Sequence, residues 1–284
     1  MKRGVSWLLT VLSVFLVGCT AEKAVVSWGN APIRVGEHLA VGDFMFDTGA
    51  TYSAVFDDSI LLAGSPVSSE TVYDINRSRK KQDIYKIRLL EIGDVSVENG
   101  SFIYVPRTEL PSYMDQFKGI IGMNIINRAN WFFDTRANRV EVCPKDYLIS
   151  IPDDALCLSY RSSNVHPETS LVIEDILFRK VRIDFGSYHT LDLNPSDIVR
   201  INELAAEKHI GSEATSSFSL FQDKIPKTLH EYQDVNVGDS FVFTSLKIHE
   251  NETDTDIRRI GFGFINYFHY FFIDTQNRKI YLFN

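Results

Sequence analysis

The sequence predicts an all-β protein made of two similar lobes. Apolar and polar residues alternate in many short runs, as they do in strands with one buried face. The 20 Phe and 12 Tyr residues supply side chains that strands favour. Three landmarks also recur in the same order, at separations of 137, 141 and 140 positions. The landmark pairs are Asp47 with Asp184, Gly122 with Gly263, and Asp134 with Asp274.

A near-constant spacing between repeated landmarks indicates a duplicated domain. We therefore predict a first lobe over residues 24–144 and a second over residues 156–284. Residues 145–155, which include Pro152, are the expected linker. A chain of 284 residues is long enough to bury a core in each lobe.

The composition excludes several classes of function. Hydrophobic residues make up 44% of the chain and charged residues 23%, an ordinary globular mixture that argues against disorder. The net charge of −8 gives no reason to expect a nucleic-acid partner, since such binding depends on neutralising phosphates. No pair of Cys or His residues has the spacing of a zinc site, so we expect no metal and no organic cofactor.

The N-terminus predicts export and lipidation. Two basic residues precede an apolar run, 5–18, which is too short to span a bilayer comfortably. The run ends in Leu-Val-Gly-Cys, which resembles a bacterial lipobox. We predict a signal peptide over residues 1–18, lipidation of Cys19 and a tether over residues 19–23. The protein would then be anchored in the cell envelope, on the periplasmic or outer side of the outer membrane. An ordinary secretory signal and an uncleaved anchor are the alternatives.

Two further cysteines, Cys143 and Cys157, lie outside this leader. An exported compartment permits them to form a disulfide. Two buried free thiols are the alternative.

Three motifs of the first lobe point to a known family. They are Phe46-Asp47-Thr48-Gly49-Ala50, then Ile120-Ile121-Gly122, then Phe133-Asp134 leading to Asn138-Arg139. This order resembles that of the retropepsin and pepsin-like aspartic peptidases, and the second lobe repeats it. The resemblance implies two β-barrel lobes with a cleft between them, each lobe contributing one aspartate.

Two carboxyls about 3 Å apart cannot both ionise, so they share one proton and can act as base and acid. The resemblance assigns these roles to Asp47, as the base, and Asp184, as its acid partner. Gly49 and Gly186 would permit the tight turn that follows each aspartate. Ser187 completes the equivalent motif of the second lobe, Asp184-Phe185-Gly186-Ser187, and is expected to support the aspartate pair.

The residue after each aspartate distinguishes the two lobes. In the family, a Thr at this position forms hydrogen bonds across the lobes, and Thr48 fits that role. Phe185 stands at the second position and has no hydroxyl. This departure puts the activity in question.

The resemblance also implies a flap, a β-hairpin over the cleft. The candidate is 73–85, with Tyr73 as the flap tyrosine and Ser78 in a polar, basic centre. A solvated loop is the alternative interpretation.

The sequence therefore predicts an aspartic endopeptidase that acts on peptide or protein substrates and contacts the membrane through Cys19. A rival hypothesis is a catalytically inactive peptide-binding lipoprotein, which Phe185 favours. A third is an enzyme in which two first lobes pair in a homodimer, whereas the tandem dyad would work as a monomer.

Overall fold

The structure is a computed structural model, and it describes most of the chain after residue 29. The described residues are 30–34, 38–56, 66–73, 79–92, 95–147, 149–163, 166–217, 224–238, 241–255 and 257–284. The predictions for the signal peptide, Cys19, the tether 19–23 and Ser78 lie outside these residues.

Short strands dominate both halves. Those of the first half are β1 (Asn30–Arg34), β2 (Ala40–Val41), β3 (Phe44–Phe46), β4 (Ser53–Val55), β5 (Ser68–Tyr73), β6 (Arg79–Ile92), β7 (Val95–Tyr104), β8 (Gly119–Ile121), β9 (Asn130–Asp134) and β10 (Arg139–Cys143). Those of the second half are β11 (Leu156–Ser159), β12 (Arg161–Ser163), β13 (His166–Ile173), β14 (Ile176–Asp184), β15 (Leu191–Leu193), β16 (His209–Ser217), β17 (Ile225–Tyr232), β18 (Val235–Val237), β19 (Phe241–Phe243), β20 (Leu246–Glu250), β21 (Arg258–Gly261), β22 (Tyr270–Asp274) and β23 (Lys279–Phe283).

Helices are few and short in the described residues. They are α1 (Met123–Ile126), α2 (Pro195–Ala205) and α3 (Phe262–Ile265), with 3-10 turns at Arg107–Glu109, Ser112–Gln116 and Ala206–Lys208. The predicted all-β class is confirmed. No helix in the described ranges has the length and apolar character that spanning a bilayer would need.

The two lobes repeat one strand arrangement. In the first lobe, β8 lies parallel to β3 and antiparallel to β4, and β4 lies parallel to β7. In the second lobe, β21 lies parallel to β14 and antiparallel to β15, and β15 lies parallel to β20. The predicted duplication is therefore present in the topology as well as in the sequence.

This topology corrects one landmark of the repeat. Gly122 and Gly261 both precede a four-residue helix, with nearly identical backbone angles of φ −101°, ψ −178° and φ −98°, ψ −178°. Gly261, and not Gly263, is therefore the counterpart of Gly122. The second apolar-apolar-Gly motif is Arg259-Ile260-Gly261, so an arginine stands where Ile120 stands in the first lobe.

A shared sheet joins the lobes. Strand β22 of the second half pairs with β9 of the first, in an order that runs β11-β23-β22-β9-β10-β1. Phe133 and Phe271 are register partners across this junction, and their rings stack with centroids 4.2 Å apart. The domain boundaries around 145–155 stay a prediction.

The structure contradicts the disulfide alternative. Cys143 lies on β10 and Cys157 on β11, and both are free thiols. Three strands separate β10 from β11, which corresponds to about 19 Å at ~4.8 Å per strand. A disulfide requires Cα atoms within about 7 Å. The alternative of two buried thiols is right for Cys143 only, because Cys157 is exposed.

Two equivalent threonines bond the lobes to each other. Thr135 Oγ1 donates to His269 O at 2.9 Å. Thr275 Oγ1 lies 2.8 Å from Ala129 O, and Thr275 N donates to Asn130 Oδ1 at 2.8 Å. Each threonine therefore crosses to the opposite lobe from the turn that follows its strand.

We expect Thr275→Val to lower the free energy of unfolding by about 1–3 kcal/mol, because a buried hydroxyl donor is removed at constant shape. Urea denaturation of the purified protein measures this. Thr275→Ser keeps the hydroxyl and should stay close to wild type. Equal losses in the two variants would show that the hydroxyl contributes little.

Candidate active site

The structure brings the two predicted catalytic aspartates together. Asp47 follows β3, where its N–H donates to Ile121 O at 3.0 Å, and Asp184 ends β14. The two carboxyls, one from each lobe, lie within hydrogen-bond reach of each other. A hydrogen bond between two carboxyl groups requires a proton on one of them, so the pair holds one shared proton.

The two predicted glycines make this approach possible. A Cβ on Gly49 would overlap the carboxyl of Asp184, and a Cβ on Gly186 would overlap the carboxyl of Asp47. Each glycine thus packs against the aspartate of the opposite lobe. Glycine is required at these positions because a side chain would occupy the space of the opposite carboxyl. Backbone conformation does not require it, since neither glycine has a left-handed φ.

The surroundings of Asp47 favour its protonated form. Burial and the neighbouring carboxyl of Asp184 raise the pKa of Asp47 to about 8. Two backbone N–H groups act in the opposite direction, since Gly49 N and Ala50 N donate to Asp47 Oδ1 at 2.7 and 3.1 Å. Their effect is the smaller one. The pair therefore keeps a proton at neutral pH.

Thr48 bridges the lobes as predicted. Its Oγ1 donates to Ile183 O at 2.9 Å and accepts from Phe185 N at 3.0 Å. The Thr48 side chain is buried, so these two bonds are shielded from water. They hold the residues on both sides of Asp184 at a fixed distance from the first lobe.

Phe185 removes the reciprocal pair of hydrogen bonds and replaces it with packing. Its side chain is fully buried and meets Phe271 edge to face, with ring centroids 5.8 Å apart. Aromatic pairs of this geometry stabilise by about 0.5–1.5 kcal/mol beyond the area they bury. The backbone N–H of Phe185 still donates to Thr48 Oγ1, so the hydrogen bonds that Thr48 makes across the lobes remain.

Ser187 closes the second turn through its backbone. Ser187 N donates to Asp184 O at 3.1 Å, and Ser187 O accepts from Phe262 N at 2.6 Å. The first lobe has the same two bonds at Ala50, at 3.3 Å to Asp47 O and 2.8 Å from Met123 N. Ser187 therefore shapes the loop and does not reach the carboxyl pair itself.

Sequence reasoning missed the charged groups beside Asp184. Arg259 Nε lies 3.4 Å from Asp184 Oδ2 and 3.4 Å from Asp192 Oδ2. Asp192 Oδ1 lies 2.7 Å from His189 Nδ1 and 3.4 Å from Lys227 Nζ. Burial alone would raise the pKa of Asp192, but His189 and Arg259 hold it well below its usual range.

Three of the buried residues could in principle ligate a metal. Among the described residues, His189, Asp192 and His249 place ligand atoms within 4.8 Å of one another. The two imidazole rings stack with their centroids 3.6 Å apart. Burial and, after it, the neighbouring His189 lower the pKa of His249 to about 3. Lys227 and Arg259 already neutralise Asp192, so a divalent cation here would meet two positive charges. These two positive charges act against cation binding at this cluster.

His38 is a further residue that the sequence did not single out. Its Nδ1 lies 3.3 Å from Gly186 O, on the loop that carries Asp184. The ring stacks on Tyr113 at 5.7 Å and meets Tyr188 edge to face at 5.8 Å. Aromatic rings from both lobes therefore meet next to the loop that carries Asp184. No motif marks it, because an isolated His between strands carries no spacing signal.

The flap prediction coincides with a hairpin. Strands β5 and β6 are antiparallel neighbours and pair from Ser68–Ile84 to Tyr73–Arg79. Tyr73 ends β5, and the predicted Ser78 lies outside the described residues. In the second lobe, β16 and β17 form a hairpin at the corresponding place in the strand order.

Comparison with known proteins matches the first lobe to one family. Residues 31–125 match the model of the aspartyl protease family. The match covers about a third of the chain and includes Asp47, Thr48 and Gly49. It confirms, for the first lobe, the resemblance inferred from the motifs. The likeness of the second lobe to the first depends on the shared topology.

Among solved structures, a retropepsin-like aspartic protease from Rickettsia conorii is 18% identical, over 48% of this chain and 94% of its own, with a TM-score of 0.32. Basic 7S globulin from soybean is 11% identical, over 92% and 91%, with a TM-score of 0.45. The protein edgp is 9% identical, over 92% of each chain, with a TM-score of 0.49. Comparison with curated proteins gives no match.

We expect Gly186→Ala to disable the site without unfolding the protein. The new Cβ would displace the carboxyl of Asp47, and a misplacement of about 1 Å costs roughly 100-fold in rate. Peptide cleavage by the purified variant measures this.

Gly211→Ala is the matched control, because nothing lies within 4 Å of the Cβ it adds. It should cleave like wild type. Full activity in Gly186→Ala would show that the two carboxyls need not be in close contact.

Proposed function

We propose that the protein is an aspartic-type endopeptidase in which Asp47 and Asp184 activate a water molecule. The observation that carries this proposal is the close approach of two carboxyls, one from each lobe, each packed against the glycine of the opposite lobe. The family match to the first lobe supports the same reaction class.

The proposed reaction uses both forms of the pair. The ionised carboxylate takes a proton from the water, which attacks the peptide carbonyl carbon. The protonated carboxyl gives its proton to the carbonyl oxygen, so a neutral tetrahedral intermediate forms. Transfer of a proton to the nitrogen then breaks the C–N bond and releases an acid and an amine. The two carboxyls titrate as a pair, so either one can supply the proton, and Asp47 as the base with Asp184 as the acid stays a prediction.

The proposed substrate is a peptide in extended conformation. Strand β5 of one hairpin and strand β16 of the other lie at the edges of their sheets. An extended peptide could pair with either edge as an added strand. Closure of such hairpins over the substrate would exclude water from the carboxyl pair.

The proposed site of action is the bacterial cell envelope, with the chain anchored through lipid on Cys19. The lipobox-like sequence supports this part of the proposal. The pairing of Asp47 with Asp184 inside one chain supports a monomer over a dimer of first lobes.

A catalytically inactive peptide-binding lipoprotein is the second candidate. The observation that favours it is Phe185, which removes half of the hydrogen bonds that join the lobes near the pair. The surviving bonds of Thr48 and the intact carboxyl contact favour the enzyme.

We expect cleavage of a mixed fluorogenic peptide library to decline above about pH 8, because the pKa of Asp47 is raised to about 8. Below that pH the pair holds its proton, and above it the proton needed by the carbonyl oxygen is lost. The pH–rate profile from pH 3 to pH 9, with a chain that begins at Thr20, measures this.

Asp47→Asn is the control, with cleavage lowered by about 100-fold or more. If the folded wild type binds library peptides but cleaves none at any pH, the binding protein is correct and the enzyme is not.

A further inference from the structure

A row of charged and polar side chains crosses the sheet of the second lobe. Arg182 on β14 is the register partner of Arg259 on β21. Arg259 is in turn the partner of Asp192 on β15, and Asp192 of His249 on β20. Four neighbouring strands therefore place these residues side by side.

The first lobe has apolar residues at the same four places. Met45 pairs with Ile120, Ile120 with Ala54, and Ala54 with Ile103, in the equivalent strands. All four are buried and belong to one hydrophobic cluster. The fold can therefore be built with an apolar row, and burial of charge costs several kcal/mol per ion. The charged row in the second lobe requires another explanation.

Within the described residues, Arg259 is the member of this row that forms an ion pair with the carboxyl pair, and Arg182 also acts electrostatically on Asp184 and Asp47. Arg259 Nε lies 3.4 Å from Asp184 Oδ2 on one side and 3.4 Å from Asp192 Oδ2 on the other. Asp192 is 1% exposed and is held by His189 and Lys227. The Arg259 guanidinium thus lies between two carboxylates, those of Asp192 and Asp184, at ion-pair distance from each.

We propose that Arg259, anchored by Asp192, is a positioning residue that places the negative charge of the pair on Asp184 and leaves the shared proton on Asp47. This inference rests on the proposed peptidase function for its effect on rate. Its effect on the position of the proton is independent of whether a peptide is cleaved.

Other charged and titratable groups face this arrangement from each neighbouring strand. They are His166 and Glu168 on β13, Arg182 on β14, His189 before β15, Lys227 on β17, His249 on β20 and Asp47 from the first lobe. Burial and Arg182 lower the pKa of His166, and burial lowers that of His249, so both rings are neutral near pH 7. Lys227 acts on Asp192, while Arg259 makes the direct contact with Asp184.

The charge placement assigns the two chemical roles. A guanidinium is always protonated, so it attracts the carboxylate form of its neighbour at every working pH. The proton then lies on Asp47, although Gly49 N and Ala50 N donate to its Oδ1 and act against protonation. The pair would keep one proton, its competent state, down to lower pH than without the arginine.

The test is the double variant Arg259→Ile, Asp192→Ala, which gives these two positions the residue types that the first lobe has at Ile120 and Ala54. Removing both partners leaves neither Arg259 nor Asp192 as a buried charge without the other, and Lys227 keeps its hydrogen bond to Asn251 Oδ1. We expect the acid limb of the pH–rate profile to move up by about 1–3 pH units, as expected when an opposite charge within 4–6 Å is lost. Arg259→Lys keeps the charge and should restore most of the acid limb. Arg179→Ile removes an exposed positive charge of β14 and should change nothing.

Carbon-13 NMR of the aspartate carboxyls in the full chain at pH 6 provides the second readout. In wild type, Asp47 should give the signal of a carboxyl and Asp184 that of a carboxylate, with Asp47→Asn and Asp184→Asn assigning them. In the double variant, the two signals should converge or exchange. A folded double variant with the wild-type signals and acid limb would overturn the proposal. A wild type that cleaves nothing yet shows the expected signals would refute the peptidase and leave the charge placement standing.

Discussion

The structure depends on the close contact of two carboxyl groups that cannot both be ionised. Asp47 and Asp184 come from different lobes, so every feature that holds the lobes together also sets the distance between them. Gly49 and Gly186 provide the space for the two carboxyls. Thr48 fixes the backbone on both sides of Asp184, and the pairing of β9 with β22 joins the lobes in one sheet. Burial, and after it the neighbouring carboxyl of Asp184, raise the pKa of Asp47.

The two lobes have kept one topology and diverged in chemistry. The first lobe packs an apolar row beneath its aspartate, whereas the second packs Arg259 and Asp192 in the same register. Phe185 belongs to the same divergence, because it exchanges a hydroxyl for packing against Phe271. The second lobe therefore places a guanidinium beside the pair, and Thr48 of the first lobe supplies hydrogen bonds across the lobes.

Sequence patterns predicted the lobes, both aspartates, both glycines and Thr48, because each depends on a local motif that recurs. They did not predict Arg259 beside Asp184, since 75 positions separate the two and only strand register brings them together. The misplaced counterpart at Gly263 has a similar cause, because two glycines lie two residues apart and only the helix start at Gly261 distinguishes them. The free Cys157 likewise follows from strand order, which spacing along the chain does not encode.

The central claim is that one chain supplies both carboxyls of one active centre. The most direct measurement is peptide cleavage by Asp47→Asn, by Asp184→Asn and by an equimolar mixture of the two. The account predicts that each variant loses about 100-fold or more of the activity and that the mixture recovers none. An Asp184→Asn variant that cleaves like wild type, or a mixture that regains activity, would contradict it, because two chains would then share the site.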